Sequence, residues 1–157
     1  MAIEIGQQAP GFTLFDSEKN KVSLADYRGK NVVLLFFPLA FTSVCTKELC
    51  SVRDDIAAYN NSSAQVLGIS VDSLYTLNKF KTEQHINFPL LSDFNKTTAR
   101  EYDVLYELFP PFNMQGVSKR AVFVIDKNGI IRYSEICTTP GDLPNFEEIR
   151  KILTSLN

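Results

Sequence analysis

Asn31-Val32-Val33-Leu34-Leu35-Phe36-Phe37-Pro38-Leu39-Ala40-Phe41-Thr42-Ser43-Val44-Cys45 is the stretch from which the rest of the chain can be read. Val32 to Phe37 is a continuous apolar run of β-branched, aliphatic and aromatic residues, the pattern of a strand buried on both faces. Pro38 has no N–H for the strand ladder, so the chain must leave the sheet there. A short turn follows, and Thr42 or Ser43 offers an N-cap. Cys45 then falls in the first turn of a helix, where unpaired backbone N–H groups and the helix dipole favour negative charge.

Working outward, Val66-Leu67-Gly68-Ile69-Ser70-Val71 is a second such run and Ala121-Val122-Phe123-Val124-Ile125 a third. The turn Asp126-Lys127-Asn128-Gly129 connects the third run to Ile130–Ile136, its hairpin partner. Helices fall between. From Thr42 to about Asn60, Leu49, Val52, Ile56 and Tyr59 make one apolar face. Ser73 to about Gln84 is a second helix, with Ser73 as N-cap, and Asn95 to about Tyr102 a third. Asn145 to Leu156 is the last, with the stripe Phe146, Ile149, Ile152, Leu153 and Leu156. Near the start, Phe12–Leu14 and Val22–Leu24 flank the polar Asp16–Asn20, which reads as a hairpin. The expectation is an α/β chain: a thioredoxin-like fold with a mixed central sheet flanked by helices and an N-terminal β-hairpin extension.

The chain has 157 residues, 45% hydrophobic and 22% charged, with a formal net charge of -2. That length suits one domain spanning residues 1–157, and the turn signals show no linker, repeat or low-complexity tract. The near-neutral charge gives no footprint for nucleic acid or an anionic membrane. No apolar run reaches the length of a transmembrane helix. Met1–Gly6 lacks the basic and apolar regions of a signal peptide, so a cytoplasmic location is expected.

Three cysteines in such a chain do not form a structural framework; they read as buried apolar residues, as reactive groups, or as a mixture. Their spacing is not a zinc pattern. A free thiol has a pKa near ~8.5, so catalysis by thiolate at neutral pH needs a downward shift; ~2 units, or ~2.7 kcal/mol, would suffice. The helix start at Cys45 acts in that direction. Cys45 also shares a face with Leu49, Val52 and Ile56, so core packing is the alternative.

The motif Pro38-x-x-x-Thr42-x-x-Cys45 resembles the active-site motif of the peroxiredoxins, the alkyl hydroperoxide reductase/thiol-specific antioxidant family of thiol peroxidases. Ile5–Phe12, Phe88–Asp93 and Arg120–Asp126 look like further family landmarks, so the likeness covers essentially the whole chain. Phe37–Cys45 is most similar to the alkyl hydroperoxide reductase E-type branch. A second cysteine five residues on is the placement of the bacterioferritin-comigratory, or Q-type, branch. The resemblance implies that Cys45 is the peroxidatic cysteine. Thr42 would supply a hydroxyl and Pro38 would shield the thiolate. Arg120 would activate the sulfur and hold the peroxide, and Glu48 would orient an arginine. On the residues alone, Lys119-Arg120 marks a solvated strand end and Glu48 a solvated helix position.

Turnover needs a thiol to reduce the sulfenic acid formed at Cys45. Five helical residues separate Cα atoms by about 8.6 Å, and a disulfide needs under ~7 Å. Cys50 is the expected resolving thiol, forming an intramolecular disulfide, and the helix must therefore unwind; the alternatives are an incidental Cys50 and an external thiol. Cys137, after the last strand, matches no motif and reads as structural or incidental. With Asn157 following directly on the last helix, the C-terminal arm of the typical two-cysteine branch is not expected.

A cysteine hydrolase would need a histidine base, and the only histidine, His85, reads as a surface residue at a helix end. Thioredoxin-type exchange would need Cys-x-x-Cys, and Thr42 stands where its first cysteine would be. A peroxide sensor or holdase-like protein would share the activated thiol. No metal, haem, flavin or nucleotide motif is visible, and no cofactor is expected. The family implies a peroxide substrate, a thioredoxin- or glutaredoxin-like reductant and a homodimer. Phe109, Pro110, Pro111, Phe112 and Met114 read as loop packing, a dimer interface, or the rim of a hydrophobic substrate site.

Overall fold

Successive residues of a strand face opposite sides of a sheet, and that alternation organises the molecule. The computed structural model describes residues 3–110 and 112–156. Met1, Ala2, Pro111 and Asn157, which entered the readings of the N-terminus, the aromatic cluster and the chain end, lie outside the described residues. In chain order the elements are β1 (Thr13–Asp16), β2 (Lys21–Ser23), a 3₁₀ turn (Leu24–Tyr27), β3 (Asn31–Phe36), α1 (Ser43–Asp54) and α2 (Ile56–Asn61). Then come β4 (Ala64–Ser70), α3 (Leu74–Gln84), β5 (Leu90–Ser92), α4 (Thr97–Glu101), β6 (Ala121–Ile125), β7 (Ile131–Ile136) and α5 (Phe146–Ser155). The described strands form one mixed sheet in the order β2-β1-β5-β4-β3-β6-β7.

β3 lies inside the sheet, parallel to β4 on one side and antiparallel to β6 on the other. Val33 and Leu35 point to the layer built by α1, α2, α3 and α5, together with Phe37, Val66, Val122 and Val124. Val32, Leu34 and Phe36 point to the other layer, with Leu67, Ile69, Phe123 and Tyr102. There the rings of Phe36, Tyr102 and Phe123 meet at centroid distances of 5.1 to 5.8 Å, a spacing at which tilted and edge-on aromatic contacts are favourable. The thioredoxin-like α/β arrangement expected from the sequence is present.

Three details differ from the sequence reading. The helix expected from Thr42 to Asn60 is two helices, broken at Asp55 (φ -112°, ψ 18°). The apolar spacing continues across the break. However, the Asp55 carboxylate accepts from Arg150 of α5 at 3.1 Å, which anchors the kink. The second difference is β5, which the sequence reading did not include. It pairs with β4 on one side and β1 on the other, so the N-terminal hairpin extends the main sheet at that edge. Third, the helix expected over Asn95–Tyr102 shortens to Thr97–Glu101, because Lys96 adopts a left-handed φ of 64°. Ser73 caps its helix as read, accepting from Thr76 N at 3.1 Å, and Asn145, read as the first residue of the last helix, caps α5 by accepting from Glu148 N at 3.1 Å.

Candidate active site

The strand pairing puts Arg120 beside the cysteine. Phe36 at the end of β3 pairs with Ala121 at the start of β6, so Arg120 comes level with Phe37 where the chain leaves the sheet. By strand alternation Arg120 shares a face with Val122 and Val124, the face that α1 covers. Its guanidinium Nη1 donates to Cys45 Sγ at 3.3 Å and to Glu48 Oε1 at 2.6 Å, and its Nη2 donates to the Pro140 carbonyl at 3.0 Å. Neither Arg120 nor Glu48 is the solvated residue that local sequence suggests: Arg120, Glu48 and Cys45 are 2%, 0% and 1% exposed.

The loop between β3 and α1 is fixed at several points. Pro38 is buried, and Ala40 N–H donates to Asp72 Oδ2 at 2.8 Å. The Ser70 hydroxyl donates to the same oxygen at 2.7 Å. Phe41 takes a left-handed φ of 69°, which turns the chain into α1, and its ring packs edge-on against Phe80 at 5.2 Å. Thr42 is the N-cap by backbone position, since its carbonyl accepts from Thr46 N–H at 2.9 Å. Its side chain does not cap the helix as the sequence reading supposed. The hydroxyl donates to the Leu39 carbonyl at 2.7 Å. Its proton is thereby committed, and the oxygen keeps its lone pairs for an incoming O–H. The N–H groups of Val44 and Cys45 precede the first intrahelical bond and have no helical acceptor.

Pro38, Thr42, Ser43, Val44, Cys45, Phe109, Arg120, Pro140 and Gly141 line a pocket of about 160 Å³ above the sulfur. Four sequence candidates thus meet in one place, and Glu48 stands directly behind Arg120. Of the aromatic cluster, Phe109 reaches this pocket while Phe112 is 74% exposed. The sequence reading missed the Pro140 carbonyl and the Asp72 anchor. The Thr-Pro-Gly turn carried no signal that its carbonyl would meet an arginine side chain.

Burial drives the electrostatics. Loss of solvent pushes the Glu48 carboxyl up to about 7, with Arg120 pulling it down and Glu135 raising it further. The three cysteines are free thiols. Cys50 lies half-buried further along the continuous α1, its thiol 3.5 Å from Gln84 Oε1. Cys137 is buried, and its N–H donates to the Arg120 carbonyl at 2.9 Å. Burial, then the field of Glu135, pushes its thiol up to about 11. His85 is exposed, holds a left-handed conformation at the end of α3 and does not line the pocket. Among the described residues, no cluster of three His, Cys, Asp or Glu side chains could hold a metal, and no helix is long and apolar enough to cross a membrane.

A profile of the AhpC/TSA family matches residues 5–134. The chain belongs to the AhpC/TSA family. As a peroxiredoxin it is a peroxidase of the oxidoreductase class. It is 41% identical over 145 residues to alkyl hydroperoxide reductase E of Mycobacterium tuberculosis (strain ATCC 25618 / H37Rv), covering 90% of each protein. It is 35% identical over 162 residues to a mitochondrial thioredoxin-dependent peroxide reductase of Drosophila melanogaster, covering 97% of this chain and 65% of that protein. Among solved structures, it resembles peroxidoxin BcpB from Mycobacterium tuberculosis with a TM-score of 0.86 and 26% identity over 99% of both chains. The reduced 2-Cys peroxiredoxin of Plasmodium vivax gives a TM-score of 0.85 at 30% identity, covering 96% of this chain and 80% of that one.

Proposed function

We propose that this peroxiredoxin reduces hydrogen peroxide and organic hydroperoxides at Cys45, and that Cys50 completes the cycle as an intramolecular disulfide. The observation that carries the first part is the Arg120 N–H 3.3 Å from the Cys45 sulfur, inside a small pocket. The thiolate attacks the terminal peroxide oxygen, an S–O bond forms and the O–O bond breaks. Sulfur loses two electrons, and the leaving oxygen takes them with a proton as water or alcohol. Arg120 and the N–H groups of Val44 and Cys45 face the region where negative charge moves, as transition-state stabilisation requires. Thr42 Oγ1 accepts the peroxide O–H, and Pro38 keeps bulk water from the sulfur.

The Cys50 thiol then attacks the sulfenic sulfur, and water leaves as the disulfide forms. Helix α1 runs unbroken through both cysteines, so its first turns must open for this step. The intact helix equally suits resolution by an external thiol, the second reading. A dithiol reductant of thioredoxin or glutaredoxin type, a homodimer, a single domain and a cytoplasmic location complete the proposal. The reductant has support in the likeness to the thioredoxin-dependent peroxide reductase of Drosophila melanogaster.

Stopped-flow peroxide consumption compares the wild type with Cys45→Ser. Equal, slow consumption by both would overturn the enzymatic reading in favour of a sensor or binding protein. Mass mapping after one equivalent of peroxide separates the two resolving routes. A Cys45–Cys50 disulfide supports the intramolecular one, and a stable Cys45 sulfenic acid beside a free Cys50 rejects it.

A further inference from the structure

One buried cation serves two acids. Arg120 Nη1 donates to both Cys45 Sγ and Glu48 Oε1, while Nη2 is occupied by a neutral carbonyl. If Cys45 and Glu48 were both ionised, the cluster would carry a net negative charge with all three side chains almost wholly excluded from water. Uncompensated charge in such a place is costly. Glu48 Oε2 adds to the cost, since this buried atom has no hydrogen-bond partner. The charged and titratable groups facing Glu48 are Tyr59 on α2, Arg120 before β6, Glu135 on β7 and Cys137 beyond it, with Cys45 on its own helix bonded to the same Arg120. Arg120 alone among them is cationic.

Resting on the peroxidase reading above, we infer that Cys45 and Glu48 share a single proton through Arg120, and that oxidation of the sulfur makes Glu48 give that proton up. In the reactive state Glu48 is the neutral acid and Arg120 pairs with the Cys45 thiolate. Attack on the hydroperoxide turns the thiolate into a neutral sulfenic acid and leaves negative charge on the departing oxygen. That oxygen gains one proton and Glu48 loses one, with Arg120 now paired to the Glu48 carboxylate. Thiolate, hydroperoxide and carboxylic acid become sulfenic acid, alcohol and carboxylate, and the buried cluster is neutral before and after. Glu48 touches neither sulfur nor peroxide, so it is a positioning residue that acts through Arg120. The rise of its carboxyl to about 7 under burial makes such an exchange accessible near neutrality.

The test is infrared difference spectroscopy of the full chain at pH about 6, before and after one equivalent of hydrogen peroxide, with carboxyl-labelled glutamate and parallel mass analysis. The expected result is loss of one protonated-carboxyl band and gain of one carboxylate band for each Cys45 oxidised. Both bands should move with the label and be absent from E48Q, which keeps a hydrogen-bonding partner for Arg120. Should E48Q not fold, the labelled wild type decides alone, because Glu48 is the only fully buried glutamate among the described residues. Oxidation of Cys45, to the sulfenic acid or to a disulfide, with no change in the carboxyl bands would overturn the shared proton and leave the peroxidase reading standing. Failure of Cys45 to be oxidised at all would overturn both.

Discussion

At the residue scale, the site depends on the shape of arginine. One planar fork reaches a sulfur, a carboxylate and a carbonyl at 3.3, 2.6 and 3.0 Å. A lysine supplies the charge as a point and cannot satisfy the three directions together. Arg120→Lys is therefore expected to slow the reaction of Cys45 with peroxide by roughly 10²-fold, the scale of losing one aligned donor to a developing charge. Single-turnover stopped-flow measurement checks this; a loss below a few-fold would mean that charge alone is sufficient. Cys45, Thr42 and Pro38 were legible because they sit close together in one motif. Arg120 lies 75 positions from Cys45, and locally it is indistinguishable from a charged strand end. The family resemblance supplied its role, and the register of β3 against β6 explains its position.

At the element scale, α1 meets two opposing demands. Its start presents free N–H groups to the sulfur, which needs an intact first turn. If Cys50 resolves, that turn must come apart. Amide hydrogen exchange tests this: amides from Thr46 to Cys50 should lose protection in peroxide-treated wild type and keep it in Cys50→Ser. Equal protection in both would assign resolution to an external thiol. The elements themselves were unevenly legible. β3, β4 and β6 were visible because buried strands write long apolar runs, and β7, only partly buried, through the turn that joins it to β6. β5 has only three residues, too few for any period, and exists through its pairing with Gly68–Ser70 and Phe15–Asp16. The break at Asp55 left no gap in the apolar spacing, and the contact that Asp55 makes there is with a helix almost a hundred positions away. Gly68 shows how tight the assembled sheet is. A Cβ there would lie 2.7 Å from Leu90 Cδ2 and 3.4 Å from the Phe37 ring, so Gly68→Ala should cost about 1–3 kcal/mol of unfolding free energy in denaturant titration. A neutral result would mean that β5 shifts freely against β4.

At the scale of the whole molecule, the buried acid makes stability depend on pH in an unusual direction. The Glu48 carboxyl rises from an ordinary 4.5 to about 7, burial being the largest cause. Below about 4.5 both folded and unfolded chains hold the proton, and the full contribution to stability is present. Above that value the unfolded chain ionises while the fold still retains the proton, so stability falls as pH rises, until the folded group ionises near 7. Glu48 is fully buried, and the difference corresponds to roughly 3 kcal/mol. Asp126 works oppositely: its carboxyl is held below the ordinary 3.8 despite burial, by the Ile130 and Asn128 N–H groups and by Arg132. Its contribution is present above about 3.8 and fades as the solution becomes more acidic. Cys137, raised from 9.0 to about 11, adds a further loss only above about 9. The reduced protein should therefore be most stable near pH 5 and lose stability steadily to about pH 8 in thermal or denaturant unfolding. E48Q should remove most of that slope and be the more stable of the two at pH 8. A wild type that is flat, or that gains stability over this range, would show that Arg120 holds Glu48 ionised throughout.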